Sequence, residues 1–353
     1  MRILFVTETR INAGSIQAVA SYISAADKLG HTIAVFGHRD PCFPKLRFSM
    51  DTDHFDFVVF ILESKLNWLS GLRVARILKS VPSERRAVLD ADGLYNDVVS
   101  LGEYDRNHAT VAQGQRWRAA CEQLGGNRLF QPTLKPLNPR VKPLLFYGYA
   151  PEMEACPEDS NAKIVDIMHV SHNWWRWKEL EESFFPALGR IRERIGEICF
   201  LGLWWDGCPP WAAALGLTEA FRVDAVQLQN LRITVRPPVP FTQVISAMSC
   251  AKVNIMTQRP LFQRLGMVTS KYFEIFCADT IPLILITAEL AESIYGEAGR
   301  DLALRGNNVE QRLLEALVSP QDYNGIVQRV REHLRNHHSY RARVQQLVAA
   351  LGS

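Results

Sequence analysis

The feature that most constrains this chain is the repeated return of a short, unbroken apolar run followed by an amphipathic stretch. Arg2 to Thr7 reads RILFVT; ETRINAGSIQ follows, AVASYISAADKLG closes on Gly30, and HTIAVFG begins the next apolar run. Strands buried on both faces read as continuous hydrophobic runs, because helices cover both sides of a parallel sheet. Strand, loop, helix and strand within about forty residues make a βαβ unit. Further strands are expected at FDFVVFIL (Phe55 to Leu62), RRAVLDAD (Arg85 to Asp92), NRLFQPT (Asn127 to Thr133) and KPLLFYG (Lys142 to Gly148). From Gly148 to Lys163 the pattern gives way to Pro, Glu, Asp, Ser and Asn, the composition of a linker. The alternation then restarts with KIVDIMHVS, EICFLGLW, LRITVRPPV, AKVNIMT and IPLILIT, and after Gly306 the chain reads as helix. The expected class is α/β: Rossmann-like domains at 1–150 and 161–325 facing a central cleft, with a helical tail, 326–353, packing back toward the first domain. In such sheets ligands bind beyond the carboxyl ends of the strands.

At 353 residues the chain is long enough for two cores. Lys and Arg total 40 against 37 for Asp and Glu, so the expectation is no nucleic-acid partner and only local positive sites; peripheral membrane contact is left open. Seven scattered cysteines without a C-x-x-C pair argue against a disulfide framework or a zinc ribbon and for a reducing cytoplasm. MRILFVTETR has too short an apolar core for a signal peptide, and no run approaches the roughly eighteen apolar residues of a spanning helix.

The stretch SKYFEIFCADTIPLILI, Ser270 to Ile286, sets Glu274 within an apolar run. Thr269 and Ser270 are N-cap candidates for the helix that carries it. A capping box needs Glu or Gln three residues after the cap, which Glu274 misses from either one. A dipole-stabilised surface glutamate is the plain reading. Against it, hydroxyls, unpaired helix amides and the Lys271 cation at one helix start suit a phosphate. A carboxylate one turn on suits the vicinal hydroxyls of a ribose, so the group together describes a nucleoside diphosphate.

KYFEIFCADTIPLI resembles the nucleotide-binding segment of GT-B glycosyltransferases, in particular the CgeB-like, glycosyltransferase group 1 branch. HHSYRARVQQL is similar to that branch's closing pattern through His338, Ser339, Tyr340 and Arg343. Two positions depart from it. Asp279 stands where the family has Gly, tolerable if it takes a left-handed conformation, and Gly266 replaces the first glutamate of an E-x7-E pair. The resemblance implies metal-independent transfer of a sugar from a nucleotide-diphosphate donor to an acceptor hydroxyl, with nucleotide held by the second domain and acceptor by the first. It also implies a cation after the first strand of the second domain. Arg176 is preferred for its planar fork, with Lys178 beside it; a solvated helix start is the alternative for each. Backbone groups from Arg236 to Val239 would meet the base. Arg176, Lys271 and the helix amides would then stabilise the departing diphosphate.

In the first domain, RINAGSI (Arg10 to Ile16) follows strand one, and Gly14 permits close approach of the backbone. It is not a G-x-G-x-x-G, so no nicotinamide or flavin cofactor is expected. LDADGLYND offers Asp90, Asp92 and Asp97 at a strand end, where one carboxylate, Asp92 by preference, would deprotonate or orient the acceptor. Ordinary turn chemistry is the alternative. DAD also matches the D-x-D of GT-A enzymes, but it precedes a whole second α/β domain, so no metal is expected. The tryptophans of NWWRW and LWWDGCPPW suit core packing more than a sugar platform. His169 and His172 lack a zinc ligand set, and no G-x-S-x-G elbow appears. The rival functions are an epimerase or hydrolase of the same fold and a non-catalytic sugar-nucleotide binder.

Overall fold

The computed structural model describes residues 1–9, 14–63, 66, 69, 72–155, 163–305 and 308–352. Apolar runs become strands as their composition dictates. In the first half these are β1 (Arg2–Val6), β2 (Thr32–Phe36), β3 (Phe48–Ser49), β4 (Phe57–Leu62), β5 (Arg86–Asp90), β6 (Leu129–Gln131) and β7 (Lys142–Pro143), in the order β3-β2-β1-β4-β5-β6-β7. In the second half β8 (Val165–Val170), β9 (Ile198–Leu201), β10 (Ile233–Arg236), β11 (Ala251–Met256) and β12 (Ile281–Ile284) are ordered β10-β9-β8-β11-β12. Every pairing between these strands is parallel. Helices cover the faces: Gly14–Lys28 turns Ala18, Val19, Tyr22 and Ala26 inward, the three-to-four-residue spacing of one helical stripe.

Two expectations change. KPLLFYG yields only the two residues of β7, and Leu144 to Gly148 run buried outside the sheet. They meet the tail there: Arg343, fully buried, donates from Nε to the Tyr147 carbonyl at 2.7 Å, and Tyr149 N–H donates to the His338 carbonyl at 2.8 Å. Backbone groups that a further strand would have satisfied are satisfied by the tail instead. The short edge strand β3 was not anticipated. Helix Pro320–His337 lies against the second half, and helix Tyr340–Gly352 lies against Gly14–Lys28 of the first.

The halves also interlock. Leu261, Phe262, Leu265 and Met267 belong to the same buried cluster as Val58, Phe60, Leu94 and Trp117 of the first half. Val268 N–H donates to the Pro132 carbonyl at 2.7 Å, and Thr133 pairs with Met267 in an antiparallel bridge. Gly93, at φ +69°, is required here: a β-carbon would lie 2.7 Å from Leu265 Cδ1 and 2.8 Å from Met267 Sδ. Gly266 ends the helix Pro260–Leu265 in the left-handed conformation, φ 57°, so the position lacking the family's glutamate is a helix cap. Asp279 is not left-handed; it pairs with Lys163 at 2.8 Å and its N–H donates to Ser249 Oγ at 3.0 Å. Among the described residues no helix is long and apolar enough to cross a membrane.

Candidate functional site

The helix Lys271–Cys277 follows Ser270, whose own backbone is already helical (φ −55°, ψ −34°) and whose side chain makes no cap. Tyr272 N–H donates to Thr269 O at 3.2 Å, Phe273 and Glu274 N–H to Ser270 O at 2.9 and 3.0 Å. These amides, expected to be unpaired, are satisfied inside the turn, so an anion here would be met by side chains. Glu274 is only 9% exposed, and its Oε2 has no hydrogen-bond partner, although the Lys271 ammonium lies 3.4 Å away. A buried carboxylate oxygen left without a donor is costly unless a ligand supplies one.

Arg176 stands in the loop after β8. Its Nη1 donates to the carbonyls of His172 at 2.9 Å and Trp174 at 3.2 Å, while its Nε is buried without a partner. Burial, and then the neighbouring Arg259 cation, push its pKa down to about 10, with Glu103 opposing. A guanidinium so disfavoured gains from an anion. Buried His169 links this loop to the helix start. Its Nδ1 donates to Ile255 O at 2.8 Å, leaving Nε2 to accept from Ser171 Oγ at 2.8 Å. Its pKa falls to about 3, chiefly through burial, opposed by the Ile255 bond and aided by Arg176 and Lys271. One imidazole therefore feels both cations, which arrive from different strand-to-helix junctions. Lys178 does not join them: its side chain is 74% exposed and lies 3.7 Å from Glu182. The Arg236 carbonyl already accepts from Gly202 N–H at 3.1 Å and its side chain pairs with Glu197 at 2.6 Å, leaving half-buried Val239 as the remaining base candidate.

The first half meets this site at Gly14, where a β-carbon would lie 3.1 Å from Ser270 Oγ. Arg10 to Ala13 of the same loop lie outside the described residues. The three aspartates separate by role. Asp90 is fully buried and takes four donors, from the N–H groups of Leu94 and Tyr95, Trp117 Nε1 and Gln131 Nε2, at 2.8 to 3.3 Å. Exposed Asp97 accepts from Ser100 Oγ at 2.7 Å. Half-buried Asp92 bears on Tyr147 and on Arg259.

Sequence reasoning missed four residues. Tyr147 is buried, and burial followed by the charges of Glu63, Asp92, Tyr340 and Glu274 keeps its phenol un-ionised, so carboxylates from both halves bear electrostatically on one phenol. Glu63 directly follows the apolar run of β4, a strand-end position that the rule for such sheets singles out. Glu103 and Arg259 form a buried pair between the halves, Oε1 to Nε at 2.8 Å, and Glu103 Oε2 also accepts from Leu261 N–H at 3.0 Å. Nothing local in either sequence segment signals that pairing.

The tryptophans divide. Trp177 and Trp205 are core residues. Trp174, Trp204 and Trp211 ring Phe221 with centroids 4.9 to 5.3 Å away, and Trp175 and Trp204 hold left-handed backbones at φ 57° and 67°. Tyr104 of the first half meets Trp174 and Trp175 edge-on.

Among the described residues no group of three or more His, Cys, Asp or Glu is arranged to hold a metal ion. Asp90 of the D-x-D pattern has both oxygens engaged, so that pattern does not fit a metal.

Residues 193–349 match the family model described as glycosyl transferase-like. No curated protein matches the chain. Among solved structures, T4 phage BGT in complex with its UDP-glucose substrate is similar at TM-score 0.60 and 11% identity over 100% of both chains. An alpha-glucosyltransferase in complex with UDP and a 13-mer DNA containing an HMU base is similar at TM-score 0.61 and 11% identity, again over 100% of both chains. T4 phage BGT in complex with UDP and Mn2+ gives 0.59 and 11%, also over 100% of both. At these identities the likeness establishes the GT-B fold. It also corrects the expectation of no nucleic-acid partner, since a protein of this fold is described with DNA bound. That expectation rested on whole-chain charge, which averages away local basic surface.

Proposed function

We propose that this chain, a GT-B glycosyltransferase by its fold and by the family model its second half matches, transfers a sugar from a UDP-linked donor to an acceptor hydroxyl without a resident metal. Glu274 takes the ribose hydroxyls, with Thr269 and Ser270 beside it. Arg176 and Lys271 face the diphosphate and stabilise the charge that grows on the bridging oxygen as the sugar departs. Asp92 orients the acceptor from the first half, and Gly14 lets that wall close on Ser270. The carrying observation is the buried Glu274 oxygen that has no hydrogen bond and only the Lys271 ammonium 3.4 Å away, beside a helix start whose cation bears on His169 together with Arg176. UDP is favoured among nucleotides because solved structures of the same fold are described with it. The CgeB-like placement rests on the motifs alone. Unpaired cysteines at Cys121, Cys199 and Cys277 fit a reducing compartment such as the cytoplasm.

The test is thermal shift with UDP, GDP, dTDP and ADP, followed by UDP-glucose turnover against an acceptor panel. That panel includes DNA carrying a hydroxymethylated base, because of the DNA-bound structure. A ligand at a hundred times its dissociation constant stabilises by about 2.7 kcal/mol, so UDP should stand clear of the others. Conversion of the donor sugar without an acceptor would favour the epimerase or hydrolase reading, and binding without turnover the non-catalytic one.

A further inference from the structure

We propose that Glu63 is the general base of this site, so that transfer is a single displacement with inversion; the inference rests on the nucleotide-sugar reading above. Glu63 begins where β4 ends. Its neighbour strand is in register: Ala91 N–H donates to Leu62 O at 3.0 Å, so Glu63 and Asp92 leave adjacent strand ends at the carboxyl edge of the first sheet. Ser15, fully buried in the first turn of Gly14–Lys28, donates its hydroxyl to Glu63 Oε2. That bond fixes one carboxylate oxygen beside Gly14, the point at which the first half comes nearest to Ser270. Glu63 thus stands on the first wall, across from the helix start that carries Lys271 and Glu274.

A group of carboxylates would not by itself make a site. Here Glu274 is nine-tenths buried and has an oxygen without a hydrogen-bond partner, and Glu274 and Glu63 both bear on the same Tyr147 phenol. A ligand hydroxyl reaching Glu274 Oε2 would supply the missing hydrogen bond. Glu63 is preferred to Asp92 because the Ser15 hydroxyl fixes its carboxylate beside Gly14, where the first half comes nearest to Ser270. Among the described residues, the titratable groups that bear on the Tyr147 phenol together with Glu63 are Asp92 on the neighbouring strand end, Tyr340 on the tail and Glu274 on the opposite helix, with Lys271 next to Glu274.

The step balances. The acceptor oxygen forms a bond to the anomeric carbon, its proton passes to Glu63, and the bond from that carbon to the diphosphate oxygen breaks. The electron pair leaves on the diphosphate, where Arg176 and Lys271 meet it. Ser15 is a positioning residue: its hydrogen bond stabilises the carboxylate, so its loss raises the basic group's pKa.

The experiment uses the full chain with UDP-glucose, measuring UDP release to water across pH and UDP affinity by calorimetry. Glu63→Gln should keep UDP affinity within about twofold and lower UDP release by on the order of 100-fold or more, removing the acid limb of the pH profile. Glu63→Asp should retain part of the rate. Ser15→Ala should move the acid limb to higher pH while the plateau rate is largely kept. A Glu63→Gln chain that releases UDP at the wild-type rate overturns the proposal, as does one that loses UDP affinity as steeply as rate, or an acid limb that persists in it. If Glu63→Gln does not fold, Glu63→Asp and Ser15→Ala decide by the same profile. A wild-type chain that neither binds UDP nor releases it from UDP-glucose removes the nucleotide-sugar reading itself, an outcome distinct from failure of Glu63 alone.

Discussion

Removing Glu103 should unlock the two halves from each other. Its carboxylate is fully buried and holds Arg259, 8% exposed, through Nε at 2.8 Å, while its second oxygen receives the Leu261 N–H at 3.0 Å. Burial works against the Arg259 charge, and Glu103 is the chief group sustaining it. Glu103→Ala leaves a buried guanidinium unpaired, costing about 3 to 5 kcal/mol, and orphans one helix N–H for roughly 1 kcal/mol more. Asp92, which also bears on Arg259, offsets part of this, and Arg176, already disfavoured by Arg259, adds to it. The expected fall in melting temperature is on the order of 5 to 10 °C. Calorimetry on Glu103→Ala, and on Glu103→Leu, Arg259→Met and the double variant that combines these last two, gives the loss and the coupling directly. The double variant should recover at least about 2 kcal/mol relative to the sum of the singles, because an apolar pair of similar volume carries no desolvated charge. A Glu103→Ala chain within about 1 kcal/mol of wild type, or strictly additive losses, would refute the reasoning.

Glu274→Gln should weaken UDP binding by roughly 1 to 3 kcal/mol, as for a hydrogen bond to a charged group, and unchanged affinity by calorimetry removes Glu274 from the nucleotide. Arg176→Ala and Lys271→Ala should each cost about 2 to 4 kcal/mol in kcat/KM with UDP-glucose, and wild-type values would exclude the residue concerned. Both should also melt lower than wild type, Lys271→Ala because buried Glu274 loses the cation 3.4 Å away and Arg176→Ala because the bonds to His172 and Trp174 are lost. Activity should survive excess EDTA; loss restored by Mn2+ would mean that the donor phosphates recruit a metal. Asp90, raised from 3.8 to about 6 chiefly by burial against its hydrogen bonds, keeps in the folded chain a proton that the unfolded chain has lost. Its contribution is complete below the unfolded value and is lost as pH rises through about 6, on the order of 3 kcal/mol in all. Asp90→Asn should flatten the stability profile between about pH 4 and 6, and an unaltered slope there would assign it to other groups.

The fold was largely readable because each parallel strand must be apolar along its whole length, and RILFVT, FDFVVFIL and IPLILIT say so locally. KPLLFYG misled for the same reason: Leu144 to Tyr147 are buried by the tail, not by strand neighbours, and burial alone leaves the same apolar signature. At the site, Glu274, Lys271 and Arg176 were legible as charges in special local settings. Glu103 with Arg259 was not, because a pair drawn from two domains has no spacing to read. Lys178 and Arg176 look interchangeable in NWWRWKEL, and only the turn of the backbone after β8 sends one inward and the other to solvent.

The side chains of Leu261, Phe262, Leu265 and Met267 complete an interior whose other walls come from between Leu4 and Val141. On the ribosome, that interior stays open until Val268 has been made, so the amino-terminal half emerges with Gly93 and the apolar surface around it exposed to water. A chain cut near Ala150 should behave as a sticky fragment held by chaperones, while the missing half supplied in trans should restore solubility.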